Sequence, residues 1–226
     1  MLRIVQQTGS LTGYNPNHTH FSGSFAGHPM TNSKRNLAHL IPARTRQNIP
    51  KTLSRIQIAE QALSKPEDAI VPWDVLCATA ADTAQSRGVT AQKLVGECLG
   101  AETVCASKNC GDLLVDGRHT EVKSSFTPGE VNIRQVRPWQ DADYIVVHAP
   151  VENGREKARC YRLTHDQMME EVEMLGCYSH GTREVGDANT HAEYSITLRR
   201  NGHNPAEVRW EGYRDASLEK ALFGQD

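Results

Sequence analysis

Between residues 53 and 100, apolar positions recur every three to four residues. In KTLSRIQIAEQAL, Leu53, Ile56, Ile58, Ala59 and Leu63 form one helical stripe, bounded by Pro50 and Pro66. Pro72 opens a second helix, PWDVLCATAADTAQSR, for which Gly88 is the expected stop. Thr90 is the expected cap of a third, AQKLVGECLG, with Leu94, Val95, Cys98 and Leu99 as its apolar face and Gly100 at its end. Beyond residue 110 the period drops from 3.6 to 2. GDLLVDG and RHTEVKSS alternate as strands do, and DADYIVVHAP is the nearly continuous apolar run of a buried central strand. ARCYRLT reads as another strand, Thr164 caps the helix HDQMMEEVEMLG, and EYSITLRR and EVRWEGY read as closing strands. This order predicts an α/β (α+β) chain with a central mixed sheet flanked by helices.

The chain has 226 residues, 38% of them hydrophobic, enough for one core with an appendage. No apolar run approaches the roughly 18 residues of a membrane span. The opening MLRIV gives way to Gln, Thr, Gly and Ser rather than to a secretory signal, so a cytoplasmic protein is expected. The cysteines at 77, 98, 105, 110, 160 and 177 are then expected as reduced thiols. Cys105 and Cys110 have loosely zinc-like spacing, but no second pair completes four ligands, so small packing residues are the better reading.

Charge divides the chain. Residues 1–59 contain Arg3, Lys34, Arg35, Arg44, Arg46, Lys51 and Arg55 and no acid; the net charge of −2 therefore leaves −9 on the rest. Residues 6–34 are rich in Gly, Ser, Thr, Asn and His and lack apolar periodicity, so they cannot offset their own ordering entropy. Residues 1–48 are read as a basic extended arm and 49–226 as the folded domain. The arm can serve DNA or a second subunit, be a passive tail, or be a transit peptide.

The chemistry concentrates in CGDLLVDGRHTEVKSS, residues 110–125. Asp116-Gly117 is a strong signal for a two-residue type I′ hairpin turn. With those two at its centre, Val115 pairs with Arg118, Leu114 with His119 and Leu113 with Thr120. Asp112 then falls opposite Glu121, and Lys123 shares the Glu121 face. Facing carboxylates at about 4.5–5.5 Å between Cβ atoms repel, which calls for solvent, a proton or a cation between them. Two carboxylates and a backbone carbonyl suit Mg²⁺. An ordinary solvent-facing hairpin is the competing reading. Gly111 permits an unusual backbone there, and Glu97 or Asp116 offers a further acid.

Asp112, Glu121-Val122-Lys123 and Gln135 ahead of DYIVVHA resemble the PD-(D/E)XK nuclease superfamily, especially its type II restriction endonucleases. The resemblance covers residues 90–165, and Gly111 stands where the motif has its proline. It implies a restriction-endonuclease-like fold and Mg²⁺-dependent hydrolysis of DNA phosphodiester bonds. Asp112, Glu121 and the Val122 carbonyl would be metal ligands. Lys123 would handle the attacking water or the developing charge, and Gln135 would orient that end of the site.

Candidate DNA contacts are Ser124, Ser125, Arg134, Arg137, Gln140, His180, Arg183, and Lys34 and Arg35 of the arm. Trp139 is read as packing, and 177–191 as a polar loop that either touches DNA or is simply solvated. The expected partner is double-stranded DNA, bound by a homodimer because symmetric sites favour two-fold proteins. A repair, junction-resolving or phage-encoded nuclease, or a DNA-binding protein whose hairpin acids are incidental, are the other function classes.

Overall fold

A computed structural model describes residues 37, 39, 53–104, 111–178 and 193–224. The readings made for residues 1–36, Cys105, Cys110 and 179–192, including Lys34, Arg35, His180 and Arg183, lie outside these residues. Helices α1 (Leu53–Leu63), α2 (Pro72–Ala78) and α3 (Ala84–Leu99) come first. Strands β1 (Glu102–Thr103), β2 (Leu113–Val115), β3 (Arg118–Ser125), β4 (Glu130–Val136), β5 (Asp143–His148) and β6 (Arg159–Leu163) follow. Then come α4 (His165–Leu175), β7 (Gly176–Tyr178), β8 (Tyr194–Arg199), α5 (Pro205–Glu211) and α6 (Ala216–Phe223). Among the described residues no helix is long and apolar enough to cross a membrane.

The main sheet has the order β1-β2-β3-β5-β6, and β4-β8-β7 form a second, antiparallel sheet. In the main sheet β3 and β5 are parallel and the other pairs antiparallel, so it is mixed as expected. Strand β5 shows why its run is almost wholly apolar. Ile145 and Val147 enter one core with Leu113, Val115, Leu94, Val95, Leu76 and Leu222, under the layer α1-α2-α3-α6. Tyr144 and Val146 enter the other with Val131, Ile133, Ile196, Leu198, Met168 and Trp210, against the second sheet, α4 and α5. The central strand is thus buried on both faces, and neither side tolerates a polar alternation.

Three expected boundaries shift. The helix opened by Pro72 ends at Ala78, and α3 runs through Gly88 to Leu99. Its cap is Thr83, whose side chain accepts from Ser86 N (3.1 Å), whereas Thr90 Oγ1 donates back to Ser86 O (3.1 Å) inside the helix. Residues of EVRWEGY form α5 instead of a strand. Asn204 caps it, Pro205 takes its first turn, and Ala206 and Trp210, one helical turn apart, are the buried positions. The C-terminal α6, not anticipated, starts on Asp215, whose carboxylate accepts from Leu218 N (2.9 Å). Gly100, by contrast, ends α3 in the left-handed conformation (φ 62°), and Thr164 caps α4, both as the sequence predicts.

Candidate active site

The hairpin forms in the register counted from its turn. Asp116 (φ 51°) and Gly117 (φ 78°) both take positive φ, as a type I′ turn demands. The pairs are Val115 with Arg118, Leu114 with His119 and Leu113 with Thr120. Strand pairing stops there, one residue before the expected Asp112–Glu121 pair. Gly111, at φ 66°, swings the chain across Thr120 so closely that a Cβ on it would lie 2.9 Å from the Thr120 carbonyl carbon and oxygen. Asp112 completes the edge with its side chain. Its N–H donates to Thr120 O (2.9 Å), and its Oδ2 accepts from Val122 N (2.9 Å).

Leu113 and Val115 belong to the helix-side core, so the odd-numbered residues of β3 face the other way. Parallel pairing sets Glu121 beside Tyr144 and Lys123 beside Val146. Glu121 and Lys123 therefore share the face of the second sheet, as alternation requires, and Lys123 Nζ donates to Glu121 Oε1 at 2.6 Å. Both side chains are about nine-tenths buried, at 10% and 11% exposure. The other oxygen of Glu121 is held as well: Gln140 Nε2 donates to Oε2 at 3.3 Å.

Burial first, and then the charge of Glu121, push the Asp112 carboxyl above its ordinary range; the Val122 N–H, Lys123 and Arg137 pull the other way. Asp112 thus sits within electrostatic reach of Glu121, Lys123 and Arg137. The tension between two partly desolvated acids is relieved by positive charge. Among the described residues no three His, Cys, Asp or Glu side chains form a metal-binding group. The available donor set is two carboxylates, Asp112 and Glu121, which fits a hard cation that keeps much of its water. Val122, expected to lend its carbonyl to the metal, meets Asp112 through its amide N–H.

The other candidate residues divide. Gln135 is exposed at φ 57° in the β4 bulge between Ile133 and Val136, with Arg134 exposed beside it. The residue that reaches the acid is Gln140, not Gln135. Gln140, expected as a DNA contact, is buried. Ser125, another expected DNA contact, is likewise buried, its Oγ donating to Glu130 O (3.1 Å) and accepting from Asn132 N (2.9 Å), so its hydroxyl fastens β3 to β4. Ser124 is half-buried on the opposite face of β3 from Lys123. Arg137 pairs with Glu193 (Nε to Oε1, 2.8 Å) and lies over the Trp139 ring. Asp116 is exposed at the turn, its Oδ2 3.8 Å from Arg162. Glu97 rides on α3, which packs on the far face of the sheet.

The signal for Gln140 was the turn preceding it. Pro138 and Trp139 are the central residues, and Gln140 N closes the turn on Arg137 O (3.0 Å). His165 meets the Pro138 carbonyl (3.1 Å), and Ala142 N donates to Gln140 O (2.9 Å). The turn thereby fixes Gln140 at the entry of β5, whose Tyr144 is already in register with Glu121. Comparison with protein-family models and with curated proteins gives no match.

Proposed function

We propose that this chain is a Mg²⁺-dependent DNA endonuclease of restriction-endonuclease-like fold, acting as a homodimer on a specific double-stranded site, in the manner of type II restriction enzymes. The observation that carries the reading is the buried Glu121–Lys123 pair of β3 with a second acid, Asp112, just ahead of β2, bonded to the Val122 N–H and within electrostatic reach of both. A solvent-facing hairpin has no reason to bury an acid–lysine pair beside a second acid, because desolvating these charges costs several kcal/mol per ion. The mixed sheet between helices is consistent with the fold.

Asp112 and Glu121 would hold the metal, which when bound supplies charge neutralisation of the phosphate and a more acidic water. Lys123 then does the local work of the chain. Its Nζ leaves Glu121 Oε1 to position the attacking water or balance the charge that develops on the phosphate. Arg134 and Gln135, exposed side by side on the β4 bulge, are the described groups best placed for base or backbone contact.

The test uses purified protein, methylated and unmethylated plasmid, and Mg²⁺ against EDTA. Discrete Mg²⁺-dependent bands support site-specific restriction, and Lys123→Ala abolishes them while DNA binding persists. Structure-dependent nicking moves the role to repair or junction resolution. Absence of cleavage on every substrate, or full cutting by Lys123→Ala, refutes the assignment.

A further inference from the structure

Resting on the nuclease reading, we propose that Gln140 Oε1 is the third oxygen donor of the metal site formed with Asp112 and Glu121. Gln140 is 2% exposed, so its amide is hidden from water. Its Nε2 is spent on Glu121 Oε2, and its Oε1 is buried with no hydrogen-bond partner among the described residues. A buried polar atom left unsatisfied is destabilising, and native structures avoid it unless something else meets the atom. Here the unsatisfied oxygen is bonded to the same carbon as the nitrogen that grips Glu121, so it lies beside the Glu121 carboxylate.

The backbone holds it there. The Arg137–Gln140 turn and the Ala142 N–H bond to Gln140 O fix the main chain on both sides. Swinging the side chain out to solvent would leave Glu121 Oε2 without its amide donor. An amide oxygen is a hard, neutral donor of the kind that Mg²⁺ and Mn²⁺ accept beside carboxylates.

The experiment is a titration of the full-length protein with Mn²⁺ alone, following free Mn²⁺ by electron paramagnetic resonance, with thermal melts to verify folding. Wild type binds saturably, and Asp112→Asn loses binding. Gln140→Leu weakens Mn²⁺ about tenfold or more, the scale on which residues supporting a metal site act. Gln140→Glu restores affinity to the wild-type level or above, although it can no longer donate to Glu121; a residue that merely held Glu121 through Nε2 would fail in both variants.

Retention of wild-type affinity by Gln140→Leu, with Asp112→Asn defective, overturns the inference and leaves the nuclease reading standing. Absence of binding by wild type, or unchanged binding by Asp112→Asn, overturns both. If Gln140→Leu does not fold, Gln140→Glu decides alone: tenfold weaker Mn²⁺ binding refutes Oε1 as a donor.

Discussion

Gly111 is where the local backbone and the candidate site depend on one another most directly. An alanine there meets two separate penalties. The first is conformational: φ 66° is left-handed, costing a non-glycine residue about 1–2 kcal/mol. The second is steric. The new Cβ would stand 2.9 Å from Thr120 C and O and 3.2 Å from Thr120 N, all backbone atoms that cannot rotate away. Forcing such a contact apart costs about 1–3 kcal/mol, so Gly111→Ala should lose about 2–5 kcal/mol in all.

Gly117 is the internal control. Its φ is 78°, but nothing lies within 4 Å of an added Cβ, so Gly117→Ala pays the conformational part alone. Urea denaturation followed by tryptophan fluorescence reads both variants against wild type. The expected excess for Gly111→Ala is about 1–3 kcal/mol with an unchanged m value. If the two losses agree within about 0.5 kcal/mol, the close approach to Thr120 is not a constraint and the argument fails. The strained atom matters beyond stability, since Thr120 O is the acceptor that anchors Asp112 N.

Two further predictions concern buried polar groups remote from the acids. His148 is 1% exposed; its Nε2 meets Thr127 O (2.9 Å) and its Nδ1 meets Arg200 (3.0 Å), and burial above all pushes it from 6.5 down to about 4. The unfolded chain takes up this proton near 6.5 and the folded chain refuses it until about 4, so stability is full above the unfolded value and falls on acidification across that window, by on the order of 3 kcal/mol. His148→Gln should lack that component: urea midpoints of the two proteins should converge between pH 7.5 and 4.5, and parallel pH slopes would contradict the assignment. Glu171 is wholly buried and accepts from Arg209, from Trp210 Nε1 (2.8 Å) and from Tyr213 OH (3.3 Å), so it ties α4 to α5. Glu171→Leu should cost about 3–5 kcal/mol in urea denaturation by stranding those donors, and Glu171→Gln clearly less; equal losses would show that the charge, not the acceptor, is what matters.

Much of the site was legible because it is local. The Asp116-Gly117 turn sets a register, and alternation then sends Glu121 and Lys123 to one face whatever the rest of the chain does. The parallel neighbour was half legible: the apolar run at 143–148 announced a central strand but not which residue of β3 would stand beside Tyr144. What was not legible was the burial that depends on distant packing. Gln135 and Gln140 are equally polar in the sequence, and only the bulge in β4 and the Pro138-Trp139 turn separate an exposed amide from a buried one. Ser125 likewise reads as a hydroxyl free for DNA until β4 folds back over it. In EVRWEGY, a short stretch with apolar residues at both spacings, the cap at Asn204 and the proline after it outweighed the apparent alternation.

The parallel pairing of β3 with β5 has a consequence for how the protein is made. Parallel neighbours cannot be joined by a tight turn, and here the crossover leaves the main sheet to place β4 in the second one. There β4 waits for β8, with Ile133 meeting Ile196 near the end of the chain. The acids and the lysine can come together in a hairpin as soon as residue 125 leaves the ribosome, but the layer that buries them is closed by residues synthesised long afterwards. Completion of the site is therefore tied to synthesis of β8, and a truncated product ending before it would carry the three charged groups without the dry surroundings that set them against one another.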